Sequence, residues 1–328
     1  MVRFRTHKES LVSYWTQKRV VVTGGAGFLG QHVVQRLQKL GADVFIPRRK
    51  DYDFTTLEAC KRCMQDARPE VVIHGAAYYG GIWINQLYPG KIYYENLVMG
   101  ANIMEASRQA DVKKFVAIGT ACSYPGYLEG TLSEKDLWNG IPHDTVVNYG
   151  LTKKMMAVQA LAYKKQYGFT AIHLILTNLY GPGASYNPDR SHVVAALIRK
   201  FVEAKLAKAP TVEVWGSGKP VREFLYVEDC ADGILRAAEL CNDIQPLNVG
   251  TGIGTSIREL AETTHELSGF RGSITWNTSK PDGQMKKVLD VSRMRNTLNW
   301  APSTLLRDGL RKTIAWYESH KEEADSRP

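Results

Sequence analysis

The sequence predicts an α/β fold, a doubly wound parallel sheet carrying a smaller, mostly C-terminal lobe, and three observations predict it. A short apolar strand at Lys18–Thr23 runs directly into Gly24-Gly25-Ala26-Gly27-Phe28-Leu29-Gly30 and then a helical stretch. Similar apolar runs recur after helical segments, and beyond Thr177 glycine and proline interrupt the chain repeatedly. Strand and helix in alternation mean parallel strands joined by right-handed crossovers.

Taken in order, residues 1–17 read as a short, partly helical N-terminal extension. Its basic residues Arg3, Arg5 and Lys8 are interrupted by Glu9, and no apolar core of signal-peptide length follows. Lys18–Thr23 is β-branched without alternation, as a strand buried on both faces requires. The helix after the glycines ends near Gly41, and Asp43–Ile46, Glu70–His74 and Lys114–Gly119 repeat the strand theme. Asn148–Gln166 is a long helix with Leu151, Met155, Val158 and Ala162 on one stripe, and Ala171–Leu176 is the next strand. After Thr177, one helix (Ser191–Ala207) lies among Gly181, Pro182, Gly183, Pro188, Pro210, Gly216, Gly218 and Pro220. The expected division is therefore 1–17 as extension, 18–180 with about 225–248 as the sheet domain, and 181–224 with 249–328 as a lobe that closes a ligand cleft.

Composition narrows the function classes. With 44% hydrophobic and 23% charged residues, disordered, collagenous and fibrous classes are excluded. The formal charge of +9 draws anions to the surface. Its densest groups, Arg48-Arg49-Lys50 and Lys286-Lys287, are short and do not alternate with aromatics, so phosphorylated small molecules are expected as partners and nucleic acid is not. No run reaches the roughly 18 apolar residues that cross a bilayer, so no membrane partner is expected. Five cysteines, an odd number in a long chain, argue against a disulfide framework and suit the cytoplasm. Cys60 and Cys63 form a lone CxxC without a second pair, which reads as a buried helical pair with no metal.

Gly24, Gly27 and Gly30, placed between a buried strand and a helix that includes Phe28 and Leu29, form a Rossmann-type fingerprint. Backbone there can approach a pyrophosphate and the helix N-terminus can face its charge. After the second strand an acidic residue would favour a free ribose hydroxyl; this chain has Pro47-Arg48-Arg49-Lys50, which suits a 2′-phosphate and therefore NADP(H). His74, Gly75, Ala76 and Ala77 end a strand with small residues on which a flat cofactor can lie.

Tyr149 and Lys153, four residues apart, share one face of the long helix. A phenol of ordinary pKa near ~10 is a poor acid or base at neutral pH. A neighbouring ammonium and an oxidised nicotinamide both favour phenolate and are expected to lower that pKa. Thr120, at a strand end, offers a hydroxyl to the same carbonyl oxygen.

With these residues in place, the chain resembles the extended short-chain dehydrogenase/reductase family over nearly its whole length. Within that family it is most similar to the NADPH-dependent 3,5-epimerase/4-reductases that turn GDP-4-keto-6-deoxy-mannose into GDP-L-fucose. The resemblance is carried by Ala76-Ala77 with Gly80-Gly81-Ile82, Ala121-Cys122-Ser123-Tyr124-Pro125, Asn178-Leu179-Tyr180-Gly181-Pro182, Ser191-His192-Val193, Val214-Trp215-Gly216-Ser217-Gly218, Arg222-Glu223-Phe224-Leu225 and Ser279-Lys280-Pro281-Asp282-Gly283. It implies that Thr120 takes the catalytic serine position, that Tyr149 and Lys153 are the reductase pair with Lys153 also on the cofactor, and that Cys122 and His192 are the epimerisation acid and base. It further implies substrate contacts from Asn178, Lys200, Trp215, Arg222 and Asp282, and a homodimer formed through two long helices, one of them Asn148–Gln166.

The chemistry agrees with these roles. A ketone at C4 acidifies the protons on C3 and C5, and unperturbed thiol and imidazole titrate near ~8.5 and ~6.5, close to working pH. Taken singly, Cys122 also reads as a small buried residue and His192 as a helix-start residue bonded to backbone. Thr120 in place of serine, and the two tyrosines Tyr78-Tyr79, depart from the family pattern. Three alternatives remain: a redox-neutral GDP-mannose 3,5-epimerase, which the Arg48-Arg49 turn disfavours; an enzyme of another GDP-deoxy sugar or GDP-heptose; and a non-catalytic dinucleotide sensor, which the joint presence of Tyr149, Lys153, Cys122 and His192 disfavours.

Overall fold

The computed structural model describes residues 7–188, 190–280 and 282–326. Arg3, Arg5 and Pro281 thus lie outside the described residues. From the N-terminus, α1 (His7–Trp15), β1 (Arg19–Thr23), α2 (Phe28–Lys39), β2 (Asp43–Phe45), α3 (Leu57–Ala67), β3 (Val71–His74), α4 (Ile82–Leu87), α5 (Pro89–Gln109) and β4 (Lys114–Thr120) follow in alternation. Next come β5 (Gly130–Leu132), α6 (Val147–Tyr167), β6 (Ala171–Leu176), β7 (Asn178–Tyr180), α7 (Val193–Leu206), β8 (Thr211–Trp215), β9 (Val221–Tyr226), α8 (Val227–Leu240) and β10 (Leu247–Val249). The last quarter adds β11 (Gly254–Ser256), α9 (Ile257–Ser268), β12 (Ser273–Asn277), β13 (Lys286–Leu289), α10 (Ser292–Leu298), α11 (Leu306–Ser319) and α12 (Lys321–Ser326).

Six strands form one parallel sheet in the order β10-β6-β4-β3-β1-β2. The apolar runs of the sequence are the strands of this sheet because helices cover both faces. One face packs Trp15, Val33, Leu37, Ile234 and Leu235 against Val20, Val22 and Ile73; the other packs Cys60, Cys63, Met104 and Met156 against Val72, Phe115 and Ala171. The CxxC cysteines are fully buried in α3, where burial pushes both thiols up to about 12. The N-terminal extension is anchored: Trp15 is 0% exposed, and the Tyr14 hydroxyl donates to the Ala238 carbonyl at 3.4 Å. Burial of one such indole is worth roughly 2–3 kcal/mol.

The stripe Leu151, Met155, Val158 and Ala162 does not face the core. Met155 and Val158 are 37% and 42% exposed, and α6 instead buries Tyr149, Thr152, Lys153, Met156 and Ala157. Apolar periodicity pointed to the outward stripe, whereas the sheet claims the face that carries the chemistry. Among the described residues no helix is long and apolar enough to cross a membrane.

A second sheet, β11-β9-β13-β5 with β7 also on β9, stands beyond the carboxyl ends of the parallel strands, and β8 pairs with β12. The segment Gly130–Leu132, between β4 and α6 in the chain, joins this second sheet through β13. A separate apolar core of Tyr186, Ile198, Phe201, Leu260, Phe270 and Tyr317 supports it. Glu223 of β9, fully buried, ties the parts together: its carboxylate accepts from the amides of Thr251 (2.6 Å), Gly252 (3.1 Å) and Leu289 (2.7 Å). Burial raises its pKa while those amides oppose the rise.

Candidate active site

At the end of β1 the chain turns so tightly that side chains are excluded. Gly24 has φ +71°, and a Cβ there would sit 2.8 Å from the Ala76 nitrogen; a Cβ on Gly30 would sit 2.0 Å from the Gly24 carbonyl oxygen. Gly27 donates to that same oxygen at 2.9 Å and caps α2 without a side chain. The first amides of α2, at Phe28 and Leu29, therefore open onto a crevice lined by Gly24, Gly27, Gly30, Gly75 and Ile118. A cradle of this kind, which any Cβ would fill, fits a dinucleotide pyrophosphate.

The basic turn after β2 is exposed. Arg49 pairs with Glu95 at 3.3 Å, while Arg48 has no side-chain partner among the described residues. Ala76 donates its amide to Thr23 Oγ1 at 3.2 Å, and Ala77 packs beside Tyr149. His74 offers a cofactor its backbone and not its side chain. It is 1% exposed, its Nδ1 lies 2.8 Å from Thr23 Oγ1, and burial followed by the charge of Lys153 holds its pKa well below the usual value. Strand alternation turns its side chain into the sheet's covered face, leaving only backbone for a ligand.

The candidate reacting groups gather at the carboxyl end of β4. Thr120 Oγ1 accepts from the Cys122 amide at 3.2 Å, which starts the 3-10 turn Ala121–Ser123 and leaves the threonine proton free to donate. Tyr149 and Lys153 are 9% and 3% exposed, and Lys153 Nζ lies 5.9 Å from the centre of the Tyr149 ring. The expected lowering of the Tyr149 pKa is absent from this state: burial, with Cys122 nearby, raises it. Burial also brings Lys153 down to about 8. Both groups have lost water, and at this separation desolvation outweighs their mutual attraction.

Tyr79, which sequence reasoning registered only as a departure from pattern, is the common neighbour of the site. Its ring lies 5.0 Å from Tyr149 and stacks on His192 at 5.4 Å, its hydroxyl is hydrogen-bonded to His192 Nε2, and Cys122 is within electrostatic reach. His192 caps α7 in position only, since its side chain bonds no amide of that helix. Across the cleft stand Arg222 of β9 and Lys287 of β13, residues paired in register; both sense Cys122, and burial lowers the pKa of each. Lys287 was seen in the sequence only as surface charge.

Farther out, Trp215 is 61% exposed between Lys200 Nζ (5.5 Å from the ring centre) and Lys280 Nζ (5.0 Å). The indole donates to Glu213 at 3.1 Å, and Lys200 donates to the Glu213 carbonyl at 2.9 Å. An exposed aromatic face flanked by two ammonium groups suits a flat base and its phosphates. Lys280 had no individual signal in the sequence. Asn178 donates to the Glu223 carbonyl at 2.9 Å, which commits its amide to joining β7 and β9. Asp282 takes two bonds of 2.7 Å from the Ser217 amide and hydroxyl, so it fastens its loop to the turn after Trp215 and does not reach into the cleft as a free carboxylate.

The site thus combines a glycine cradle under a helix N-terminus with a buried tyrosine and lysine one helical turn apart. A model of the NAD dependent epimerase/dehydratase family matches residues 20–250. The chain belongs to this family. Like its members it takes a nicotinamide dinucleotide, and the cradle at Gly24 fits one. Among similar proteins, a GDP-L-fucose synthase of Sinorhizobium fredii is 37% identical over 302 residues, covering 92% of this chain and 95% of that protein. A GDP-L-fucose synthetase from Naegleria fowleri bound to NADP superposes with a TM-score of 0.87 at 28% identity, covering 95% of this chain and 96% of the other. A GDP-6-OMe-4-keto-L-xylo-heptose reductase from C. jejuni also gives 0.87 at 28% identity, with 93% and 99% covered. The likeness to these two solved structures, unlike the family model, extends past residue 250 and so through the second sheet.

Proposed function

We propose that this epimerase-family protein converts a GDP-4-keto-6-deoxy-mannose to GDP-L-fucose by inversion at C3 and C5 and NADPH-dependent reduction at C4. The observation that carries the reading is the meeting of Cys122, Tyr149 and His192 around Tyr79 at the end of β4. Cys122 and His192 exchange protons at the carbons beside the ketone, one taking and the other returning. Thr120 donates to the C4 oxygen and Tyr149 delivers the proton to it, while the Lys153 charge favours the phenolate that remains. Arg222 and Lys287 steady negative charge on the diphosphate side, and Trp215 with Lys200 and Lys280 receives the base. When bound, the reduced nicotinamide supplies the electron pair that C4 gains.

The choice of NADPH over NADH rests on Arg48, which has no competing side-chain partner among the described residues, more than on Arg49, which shares Glu95. The dinucleotide is assigned to 18–180 with about 225–248 and the GDP-sugar to 181–224 with 249–328, β5 reaching across from the first to the second. A homodimer through α5 and α6 would cover Tyr93, Tyr94, Met155 and Val158, all exposed. Incubation with GDP-4-keto-6-deoxy-mannose and NADPH tests the proposal: one NADPH is consumed per GDP-L-fucose formed. A redox-neutral product overturns it. A second reading, a GDP-heptose 4-keto reductase, is favoured by the C. jejuni likeness. A higher kcat/KM on the 4-keto-heptose would select it.

A further inference from the structure

Tyr79 separates the two halves of the site and touches both. Its ring stacks on His192 with 26° between planes and lies 5.0 Å from Tyr149. His192 stands at the N-cap of α7, yet its side chain bonds none of that helix's amides. The hydrogen bond that holds the imidazole comes from Tyr79, 113 residues away. Nor is the tyrosine on a loose loop. A Cβ on the following Gly80 would sit 2.7 Å from Ile84 Cβ, and the preceding Tyr78 is fixed by two bonds of 2.9 Å between its backbone and the Asn96 amide. Asn96 is itself 4% exposed. Desolvation, with Tyr149 and Cys122 adding to it, keeps the Tyr79 phenol protonated, so its hydroxyl can donate to Nε2 when the imidazole carries its proton on Nδ1.

We infer that Tyr79 is a positioning residue for His192, setting the plane of the imidazole and the neutral tautomer that carries its proton on Nδ1. This rests on the reading of His192 as an epimerisation acid/base. Because the same ring lies against Tyr149, proton exchange at C3 and C5 is tied to the wall of the reduction site and not to α7.

The test follows solvent deuterium incorporation at C3 and C5 of GDP-4-keto-6-deoxy-mannose in the presence of NADP+, for the parent, Tyr79→Phe, His192→Asn and the double variant. Tyr79→Phe keeps the ring and removes the hydroxyl. The expected result is exchange slowed about tenfold, the scale of one net hydrogen bond, with KM changed by less than about twofold and NADPH affinity unchanged. In the His192→Asn background the same change adds nothing, as a double-mutant cycle requires of residues acting through one another. Undiminished exchange in Tyr79→Phe overturns the inference, as do losses that multiply in the double variant or a parallel loss of NADPH affinity. If Tyr79→Phe fails these tests while His192→Asn abolishes exchange, the reading of the site stands and the role of Tyr79 falls. If His192→Asn exchanges like the parent, both fall.

Discussion

Lys153 Nζ lies 5.9 Å from the centre of the Tyr149 ring, one turn along α6, and both side chains are withdrawn from solvent. Their pKa values move in opposite directions from burial, the lysine down to about 8 and the tyrosine up. Burial thus pushes each toward its uncharged form, the tyrosine fully so at neutral pH, while the lysine keeps its charge below about pH 8.

This pair predicts a basic limb in the pH profile of reduction. Activity falls as pH rises through about 8, where Lys153 loses the charge that supports phenolate. Lys153→Arg, which stays charged, removes that limb even if its kcat is lower. The stability contribution runs the other way. The unfolded lysine holds its proton up to 10.5, so between about 8 and 10 the unfolded chain binds more protons and the Lys153 contribution to stability rises with pH. Stopped-flow NADPH oxidation and urea titrations across that window separate the two.

Epimerisation and reduction divide between two variants. Tyr149→Phe loses reduction by about 10²–10⁴-fold, the range for a missing general acid, and keeps deuterium exchange. Cys122→Ser binds NADPH as before and loses most exchange at C3 and C5. Loss of cofactor affinity alone in both variants would show that neither residue acts on the sugar.

Gly30→Ala places a methyl 2.0 Å from the Gly24 carbonyl oxygen and 2.7 Å from Gly25 Cα, both backbone atoms that cannot swing aside. The expected cost is about 1–3 kcal/mol of stability and a loss of NADPH affinity of more than about tenfold as the cradle opens. Thermal melting with and without NADPH reads both; unchanged affinity would remove the crevice from the cofactor site.

Arg48→Ala narrows the preference for NADPH over NADH, through weaker NADPH binding, by about tenfold, the worth of one charge-assisted bond to phosphate. Arg49→Ala has the smaller effect because Arg49 already pairs with Glu95. Equal effects on both cofactors would place the turn outside the ribose site.

Glu223→Ala leaves the buried amide of Leu289 and the part-buried amides of Thr251 and Gly252 without their acceptor. At about 1–3 kcal/mol for a buried unpaired group, a loss of at least about 1–3 kcal/mol is expected in urea unfolding. Glu223→Gln, which retains one acceptor oxygen, loses less.

The glycine fingerprint, the positions of the parallel strands and the Tyr149–Lys153 pair could be read from the sequence because each is a local pattern: backbone crowding, β-branched runs, helical spacing. Other features required contacts between distant segments. The outward direction of the stripe on α6 was not legible because periodicity shows that a face is apolar but not which face the sheet takes. The tie between Asp282 and Ser217, the pairing of Lys280 with Lys200 across Trp215, and the register that sets Lys287 beside Arg222 join segments with no local mark of one another. By itself the sequence determined the parallel sheet and the family, and it nominated the glycine crevice and the candidate reacting groups. The tertiary structure alone decided their protonation and partners, because desolvation depends on what the rest of the chain packs around a side chain. For the same reason only the folded chain shows His192 held by Tyr79 from 113 residues away.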